Sequence, residues 1–236
     1  AISATLEQLD GSYALGIMIR QAPNVIYAAR NASPLAVGES NDGLLLASDA
    51  LALGEFASKI YYPEENQLVT LSDSGPFTTT LRDRKVSIHF CDLDDDQHSV
   101  SKSGYEHFML KEIHEQPHVL SRILSEPLEI AEGIDAIQRL HIIACGTSYY
   151  AASVAKYWFE SITKLPVNVD IASEFRYRET PFYDGDGALF ISQSGETADT
   201  LAAMKHARQA GIKVMSLINV PTSSMAREAD HHWLTN

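Results

Sequence analysis

Ile191-Ser-Gln-Ser-Gly-Glu-Thr-Ala-Asp-Thr200 is the stretch that decides the fold, together with Ala144-Cys-Gly-Thr-Ser-Tyr149 earlier in the chain. Each stretch follows a short apolar run and opens into a helical pattern, with hydroxyl side chains and one glycine at the junction. A strand followed by such a turn and a helix presents backbone N–H groups and the positive end of a helix to an anion. Two of these turns on successive strand–helix units indicate one phosphate-binding pocket.

From Arg139 onward the pattern alternates between strands and helices. This alternation predicts an α/β fold with a doubly wound, five-stranded parallel sheet of the flavodoxin-like order 2-1-3-4-5. In that order strands 1 and 3 are neighbours, so the loops after them meet at the carboxyl edge of the sheet, where ligands bind. The predicted strands cover 139–144, 167–171, 188–192, 213–218 and 232–235, and the predicted helices cover 147–164, 172–176, 197–210 and 223–228.

The two loops carry hydroxyls, amides and no basic side chain, which suits one phosphomonoester held without a metal ion. A nucleotide P-loop is excluded because it needs a Gly-Lys-Ser/Thr run. Glu196 and Asp199 would repel a phosphate, so we expect both to point away from it. The alternative is that Ser148, Ser194 and Thr197 are ordinary helix N-caps. The candidate substrate-binding residues are Cys145, Gly146, Thr147, Ser148, Ser192, Gln193, Ser194 and Thr197, with Gly195 as a further backbone donor.

Composition and charge limit the classes of function. The formal net charge of the 236 residues is −13, which argues against nucleic acid as a partner. Residues 1–138 hold 9 Lys+Arg against 21 Asp+Glu, whereas residues 139–236 hold 9 against 10, and this shift predicts a domain boundary. No apolar run reaches the roughly 20 residues that span a bilayer. Two distant cysteines, Cys91 and Cys145, favour a reducing cytoplasm.

The segment before the parallel sheet predicts two further parts. Residues 1–90 contain several short apolar runs separated by turn residues, which predicts β-rich structure. Residues 91–130 form the expected linker, with a helix over about 104–116 that ends at Pro117, because the residue before a proline is disfavoured in helical geometry. His114-Glu-Gln-Pro-His118 matches the His-Glu-x-x-His zinc pattern, but a helix ending at Pro117 would separate the two histidines, so we expect no metal.

Several motifs together resemble the glutamine–fructose-6-phosphate aminotransferase family. Those in the second half resemble the first sugar-isomerase (SIS) domain of that family, Tyr105–Pro117 resembles its interdomain helix, and the motifs before residue 50 resemble the end of its Ntn-type glutaminase domain. The resemblance covers nearly the whole chain. Its residues are Ala144–Ser148, Tyr157–Glu160, Ile171–Arg178, Ser192–Leu201, Asn219–Pro221 with Ser223-Ser224, Asp10–Tyr13, Ala29-Arg30, Ser33–Leu35 and Ala47–Asp49.

The resemblance implies a function for the parent enzyme. It implies conversion of fructose 6-phosphate and glutamine to glucosamine 6-phosphate and glutamate, the first step of amino-sugar synthesis, by a homodimer without a cofactor. It implies that residues 1–90 are the end of a type-2 glutamine amidotransferase domain and residues 131–236 the first SIS domain. Ser148, Ser192, Gln193, Ser194 and Thr197 match the phosphate-holding positions of the family, and Cys145, Gly146 and Thr147 match the loop beside the sugar.

The chain also departs from the family pattern. It lacks the N-terminal cysteine nucleophile, the glutamine-binding residues and the second SIS domain with its lysine, glutamate and histidine. We therefore expect a fragment with no catalytic residue of its own, which supplies the sugar-phosphate-binding half-site but turns over neither substrate. The alternatives are a sugar-phosphate-sensing SIS module without catalysis, which would usually carry a basic DNA-binding segment, and a structural piece that mediates dimerisation.

Overall fold

A computed structural model gives the structure of the chain at residues 1–50, 52–54, 56–73, 75–81, 85–92, 102–125, 127 and 129–235. The chain divides into two compact units, Ala1–Gly104 and Tyr105–Asn236. Part of the linker expected over 91–130, residues 93–101, 126 and 128, lies outside the described residues.

The first unit contains two antiparallel sheets. One sheet has the order β1-β2-β6-β7-β8 and the other has the order β4-β3-β5-β9. Alternation along the strands explains the layers, because successive side chains point to opposite faces. Ala28 and Val37 share a core with residues of both sheets, whereas their neighbours Ala29 and Ala36 are buried in two other clusters, one for each sheet. The elements are α1 (Ile2–Leu6), β1 (Tyr13–Ile19), β2 (Ala22–Asn31), β3 (Ala36–Ser40), β4 (Gly43–Ala47), β5 (Lys59–Tyr61), β6 (Gln67–Ser72), β7 (Gly75–Thr80), β8 (Lys85–Val86) and β9 (Cys91–Asp92).

The second unit begins with an exposed helix, α2 (Phe108–Ser125), that runs through Pro117. The prediction that this helix covers about 104–116 and ends at Pro117 is therefore wrong. Pro117 removes one backbone hydrogen bond, but the apolar helical pattern resumes after it at Leu120, Ile123 and Leu124, so both sides support one helix. No residue of α2 is buried, which leaves room for the bend that an internal proline causes.

The rest of the second unit is the predicted doubly wound sheet. Its strands are all parallel in the order β11-β10-β12-β13-β14, which confirms the order predicted from the sequence. The strands match the predicted ones within two residues. The elements are β10 (Arg139–Ala144), α3 (Gly146–Thr163), β11 (Val167–Ile171), α4 (Ala172–Phe175), β12 (Asp186–Ser192), α5 (Ala198–Gln209), β13 (Lys213–Ile218), α6 (Ser224–Glu228) and β14 (His231–Leu234), with a 3-10 turn at Ile134–Ala136.

Each face of the parallel sheet has its own core. On one face Ile143, Phe190 and Val214 pack with residues of α4, α5 and α6, including Phe175 and Met204. On the other face Ile142, Leu189 and Met215 pack with Ala152 of α3. The central strands are therefore buried on both faces of the sheet, and their carboxyl ends lie at one edge of it.

Candidate functional site

The topology sets the two polar loops side by side. β10 and β12 are parallel neighbours, with Ala144 opposite Ile191 in the register. Adjacent strands lie about 4.8 Å apart, so the chain leaves both strands at one place on the carboxyl edge of the sheet. Cys145 begins the first loop there, and Ser192, the last residue of β12, begins the second. The loops predicted from the sequence thus start next to each other at the switch point.

The first loop is short and turns directly into α3. Cys145 is the N-cap residue in an extended conformation, and its half-buried side chain packs against the core on the α5 face of the sheet. Gly146 has a φ of +57°, a left-handed conformation that favours glycine. Gly146 and Thr147 are exposed and Ser148 is half-buried. The Cys145 side chain makes no capping hydrogen bond to α3, whose first backbone N–H groups face the carboxyl edge of the sheet.

The second loop is organised around the buried hydroxyl of Ser192. Ser192 Oγ accepts a hydrogen bond from the Gly195 backbone N–H at 3.2 Å and lies 3.0 Å from Thr197 Oγ1. Ser194 Oγ accepts from the Glu196 backbone N–H at 3.2 Å. The side chains of Gln193 and Ser194 are exposed, so they can reach a ligand at the carboxyl edge.

The N terminus of α5 is open to an anion. Thr197 is the N-cap residue by position, but its side chain makes no capping hydrogen bond, because its hydroxyl is turned to Ser192. The N-cap residue of α3 is Cys145 and not Ser148. The Ser194 hydroxyl accepts a hydrogen bond within its own turn. The simple N-cap interpretation of these hydroxyls therefore does not describe their contacts. The first N–H groups of α5 keep their capacity to bind an anion.

Both carboxylates near the second loop have partners elsewhere. Glu196 Oε1 accepts a hydrogen bond from the Ser224 backbone N–H at 2.7 Å, and Asp199 Oδ1 lies 2.7 Å from Arg176 Nη1. Arg176 follows α4 directly and comes from a different part of the sequence. Neither loop contains a basic residue, and the sequence gives no signal that Arg176 is a partner of Asp199, because only the tertiary fold brings it to the first turn of α5.

A third segment, residues 219–225 after β13, also supports the second loop. The Asn219 backbone N–H donates to Gln193 O at 3.0 Å, and the Met225 backbone N–H donates to Gly195 O at 3.1 Å. These two hydrogen bonds join residues that are far apart in the sequence, and no sequence pattern predicted them. The second loop is therefore held from both sides, by its own strand and by the segment that follows the neighbouring strand.

A buried charge cluster occupies the opposite, amino edge of the sheet. Arg139 donates to Asp186 through Nε at 2.8 Å and through Nη2 at 2.5 Å, and the Tyr183 backbone N–H donates to Asp186 Oδ2 at 2.9 Å. Burial by itself raises the pKa of Asp186, but these hydrogen bonds outweigh it, so the pKa lies below its ordinary value. Burial lowers the pKa of His141, whose Nε2 lies 3.4 Å from Asp186 Oδ2. The cluster joins β10 to β12 at the edge away from the loops.

Within the part of the chain that the structure describes, no group of three or more His, Cys, Asp or Glu side chains could hold a metal ion. His114 and His118 do lie one turn apart on the continuous helix α2, contrary to the expected separation at Pro117. The ring of His114 stacks on Tyr105 with centroids 5.5 Å apart. Among the described helices, none combines the length and apolar composition needed to cross a bilayer.

Comparison with known proteins gives consistent matches. Residues 134–236 match the SIS domain family. The chain is 45% identical to a glutamine–fructose-6-phosphate aminotransferase (isomerizing) of Zymomonas mobilis, and 40% identical to one of Clostridium acetobutylicum. Each match covers 98% of this chain and 40% of the relative, so the chain spans less than half the length of these curated relatives. Among solved structures, the C-terminal domain of glucosamine–fructose-6-phosphate aminotransferase from Francisella tularensis matches with a TM-score of 0.55 and 43% identity, over 58% of this chain and 41% of that chain.

Proposed function

This chain belongs to the glutamine–fructose-6-phosphate aminotransferase family, and we propose that it supplies the sugar-phosphate-binding half of that enzyme's isomerase site. The parent enzyme would convert fructose 6-phosphate and glutamine to glucosamine 6-phosphate and glutamate. One observation carries the proposal. Two uncapped helix N termini, those of α3 and α5, follow neighbouring parallel strands, and a loop of hydroxyl side chains precedes the second.

The chemistry of the loops supports a phosphomonoester as the bound group. Backbone N–H groups at two helix N termini and neutral hydroxyls form hydrogen bonds to phosphate oxygens without needing a metal ion. In this proposal Ser148, Ser192, Gln193, Ser194 and Thr197 hold the phosphate of fructose 6-phosphate or glucosamine 6-phosphate. Cys145, Gly146 and Thr147 lie beside the sugar.

The same loops support binding without turnover by this chain. Ring opening and proton transfer need a group that can accept or donate a proton at the sugar. The two acidic side chains of the second loop region are already engaged, Glu196 with the Ser224 amide and Asp199 with Arg176. The phosphate seat, formed by residues 145–148 and 192–197, thus holds the phosphate end of the sugar. The reacting groups and the glutamine-binding residues belong to other parts of the parent enzyme.

We assign the remaining parts of the chain by the same family relationship. Residues 1–90 correspond to the end of a type-2 glutamine amidotransferase domain, 91–130 to the linker and 131–236 to the first SIS domain. The layered pair of antiparallel sheets in the first unit supports the first assignment. Cytoplasmic location is supported by the free thiols of Cys91 and Cys145. The formal charge of −13 opposes a nucleic-acid partner.

Homodimer formation is supported by the outer face of α3. Five apolar side chains at helical spacing along this face are each more than half exposed, which is unusual for a surface that stays in water. They are Tyr150, Val154, Tyr157, Trp158 and Ile162. Sedimentation velocity tests this: Ile162→Asp should shift the chain toward monomer, whereas Leu124→Asp on α2 should not. A wild-type chain that sediments as a monomer at all concentrations contradicts dimer formation.

Isothermal titration calorimetry with fructose 6-phosphate, in EDTA, tests the proposed function. We expect binding to the wild-type chain, no binding of fructose, and a loss of affinity of about tenfold or more in Ser192→Ala, since hydrogen bonds to charged groups contribute about 1.5–3 kcal/mol. Equal dissociation constants for wild type and Ser192→Ala would refute the assignment of Ser192 to the phosphate site. Turnover of fructose 6-phosphate by this chain would refute the claim that it only binds.

A further inference from the structure

We propose that Glu196 is a positioning residue that fastens the phosphate loop, residues 192–197, to the first residues of α6. The carboxylate does not touch the bound sugar phosphate in this account. It fixes the loop in the conformation that presents the Ser194 hydroxyl and the α5 N terminus to the ligand. The part of this inference that concerns affinity rests on the proposed function, while the part that concerns loop conformation does not.

Among the described residues, the hydrogen bonds that join the phosphate loop to the segment after β13 include these three. Glu196 Oε1 accepts from the Ser224 N–H at 2.7 Å, Gly195 O accepts from the Met225 N–H at 3.1 Å, and Gln193 O accepts from the Asn219 N–H at 3.0 Å. Only the first of the three uses a side chain of the loop. A substitution at Glu196 that removes the Oε1 acceptor is therefore expected to remove one of the bonds between the phosphate loop and the start of α6.

The junction is closely packed beside Glu196. Gly195 has a φ of +65°, and a Cβ added there would lie 2.2 Å from Ser223 Oγ. Ser223 is buried, and its Oγ caps α6 by accepting a hydrogen bond from the Ala226 N–H. The loop and α6 are in contact at Gly195, and the next residue supplies the hydrogen bond that holds them together. A substitution at Glu196 thus affects a contact between the loop and α6 that is already tightly packed at Gly195 and Ser223.

The backbone of Glu196 links this junction to a proposed phosphate ligand. Its N–H donates to Ser194 Oγ at 3.2 Å, while its side chain bonds to α6. If the side chain were released, the backbone N–H that orients the Ser194 hydroxyl would lose its fixed position. The effect of Glu196 on the ligand therefore passes through Ser194 and the turn, not through direct contact.

Charge and positioning predict opposite effects on affinity, so substitution can separate them. A carboxylate near a phosphate seat weakens phosphate binding by repulsion. If Glu196 acted only through its charge, Glu196→Ala and Glu196→Gln would both bind phosphate more tightly. If Glu196 positions the loop, Glu196→Ala should bind more weakly, whereas Glu196→Gln, which keeps an Oε1 acceptor for the Ser224 N–H, should bind at least as tightly as wild type.

The experiment compares these two variants with a matched control, Glu160→Ala. Glu160 Oε1 also accepts a backbone N–H, that of Val167 at 3.3 Å, and lies 3.5 Å from Lys156 Nζ, but Glu160 is at the far end of α3 from both loops. Two quantities are measured for each protein: the dissociation constant of fructose 6-phosphate and the hydrogen-exchange rates of the Ser224 and Met225 amides without ligand.

We expect Glu196→Ala to raise both exchange rates by about tenfold and to weaken binding by about fivefold or more. Glu196→Gln should restore both, and Glu160→Ala should change neither. Unchanged exchange in Glu196→Ala, or tighter binding in both Glu196 variants, overturns the inference. Should the wild-type chain not bind fructose 6-phosphate, the proposed function fails, and the exchange rates alone decide whether Glu196 fixes the loop.

Discussion

Ser192 Oγ and Thr197 Oγ1 lie 3.0 Å apart, so the last residue of β12 and the N-cap residue of α5 are joined through their hydroxyls. This contact turns the Thr197 hydroxyl away from the N–H groups that a threonine N-cap usually bonds. The helix N terminus is thereby left for another acceptor. This contact between two hydroxyls therefore supports the proposed phosphate site rather than a simple N-cap role.

Removing the Thr197 hydroxyl should weaken phosphate binding. We expect Thr197→Val to raise the dissociation constant of fructose 6-phosphate by about tenfold, since a lost hydrogen bond to a charged group costs about 1.5–3 kcal/mol and each 1.4 kcal/mol is a factor of ten. Thr197→Ser should restore it. The control is Thr200→Val on the same helix, whose buried Oγ1 has no hydrogen-bond partner among the residues that the structure describes. If Thr200→Val weakens binding as much as Thr197→Val, the effect comes from the helix and not from the hydroxyl.

The Arg176–Asp199 pair should tune the charge at the α5 N terminus. Arg176→Ala leaves Asp199 unneutralised beside the proposed seat, and we expect about three- to tenfold weaker binding of inorganic phosphate at low salt. Adding Asp199→Asn should recover most of the loss, which gives a coupling in a double-mutant cycle. Arg178→Ala is the control, because Arg178 forms a similar pair with Asp170 at 2.6 Å on another element. Additive effects of the Arg176 and Asp199 changes would contradict this role.

Gly195 should be far less tolerant of substitution than a glycine at a helix end. Gly195→Ala must accept a left-handed φ and a clash with Ser223, and we expect the free energy of unfolding to fall by about 2–4 kcal/mol. Gly211 has a φ of +81°, but a Cβ added there would have no atom of the described residues within 4 Å, so Gly211→Ala should cost about 1 kcal/mol. Urea denaturation of both variants measures the difference. Equal losses of unfolding free energy in the two variants would show that the Ser223 side chain moves aside without destabilising the protein.

The cluster at the amino edge of the sheet should make stability fall with acid. The folded pKa of His141 is lowered by burial, so its contribution is complete above the unfolded value of about 6.5 and is lost as the pH falls below it. The pKa of Asp186 is also lowered, and its contribution is lost as the pH falls below about 3.9. Urea unfolding at several pH values should show a decline below pH 6.5 that His141→Phe flattens. His232→Phe, at an exposed position of β14, should leave the decline intact.

The sequence predicted the parallel sheet well because its signals are local. The runs at 139–144 and 213–218 are short, apolar and bounded by turn residues, and the structure has strands with those same bounds. The helix end at Pro117 was wrong, because the apolar pattern after the proline outweighs the loss of one hydrogen bond. Residues 1–90 were predicted only as β-rich, since the pairing of short strands into two sheets depends on distant contacts.

The sequence predicted that the two loops start side by side, but it did not predict the contacts that hold them. Hydroxyls and glycines after two apolar runs indicate the two loops, and the strand order brings those loops together. Arg176 beside Asp199 and Glu196 bonded to Ser224 involve partners 23 and 28 residues apart in the sequence. No periodicity or motif encodes such pairs. They follow only from the packing of α4, α5 and α6 on one face of the sheet.

The central claim, that both loops hold one phosphate, is tested most directly by an amide NMR titration of the chain with fructose 6-phosphate in EDTA. We predict that the backbone amides of 146–148 and of 193–200 shift together and give one dissociation constant, while fructose shifts neither set. If only one loop responds, or the two loops saturate at different concentrations, the loops do not form one seat and the claim is wrong.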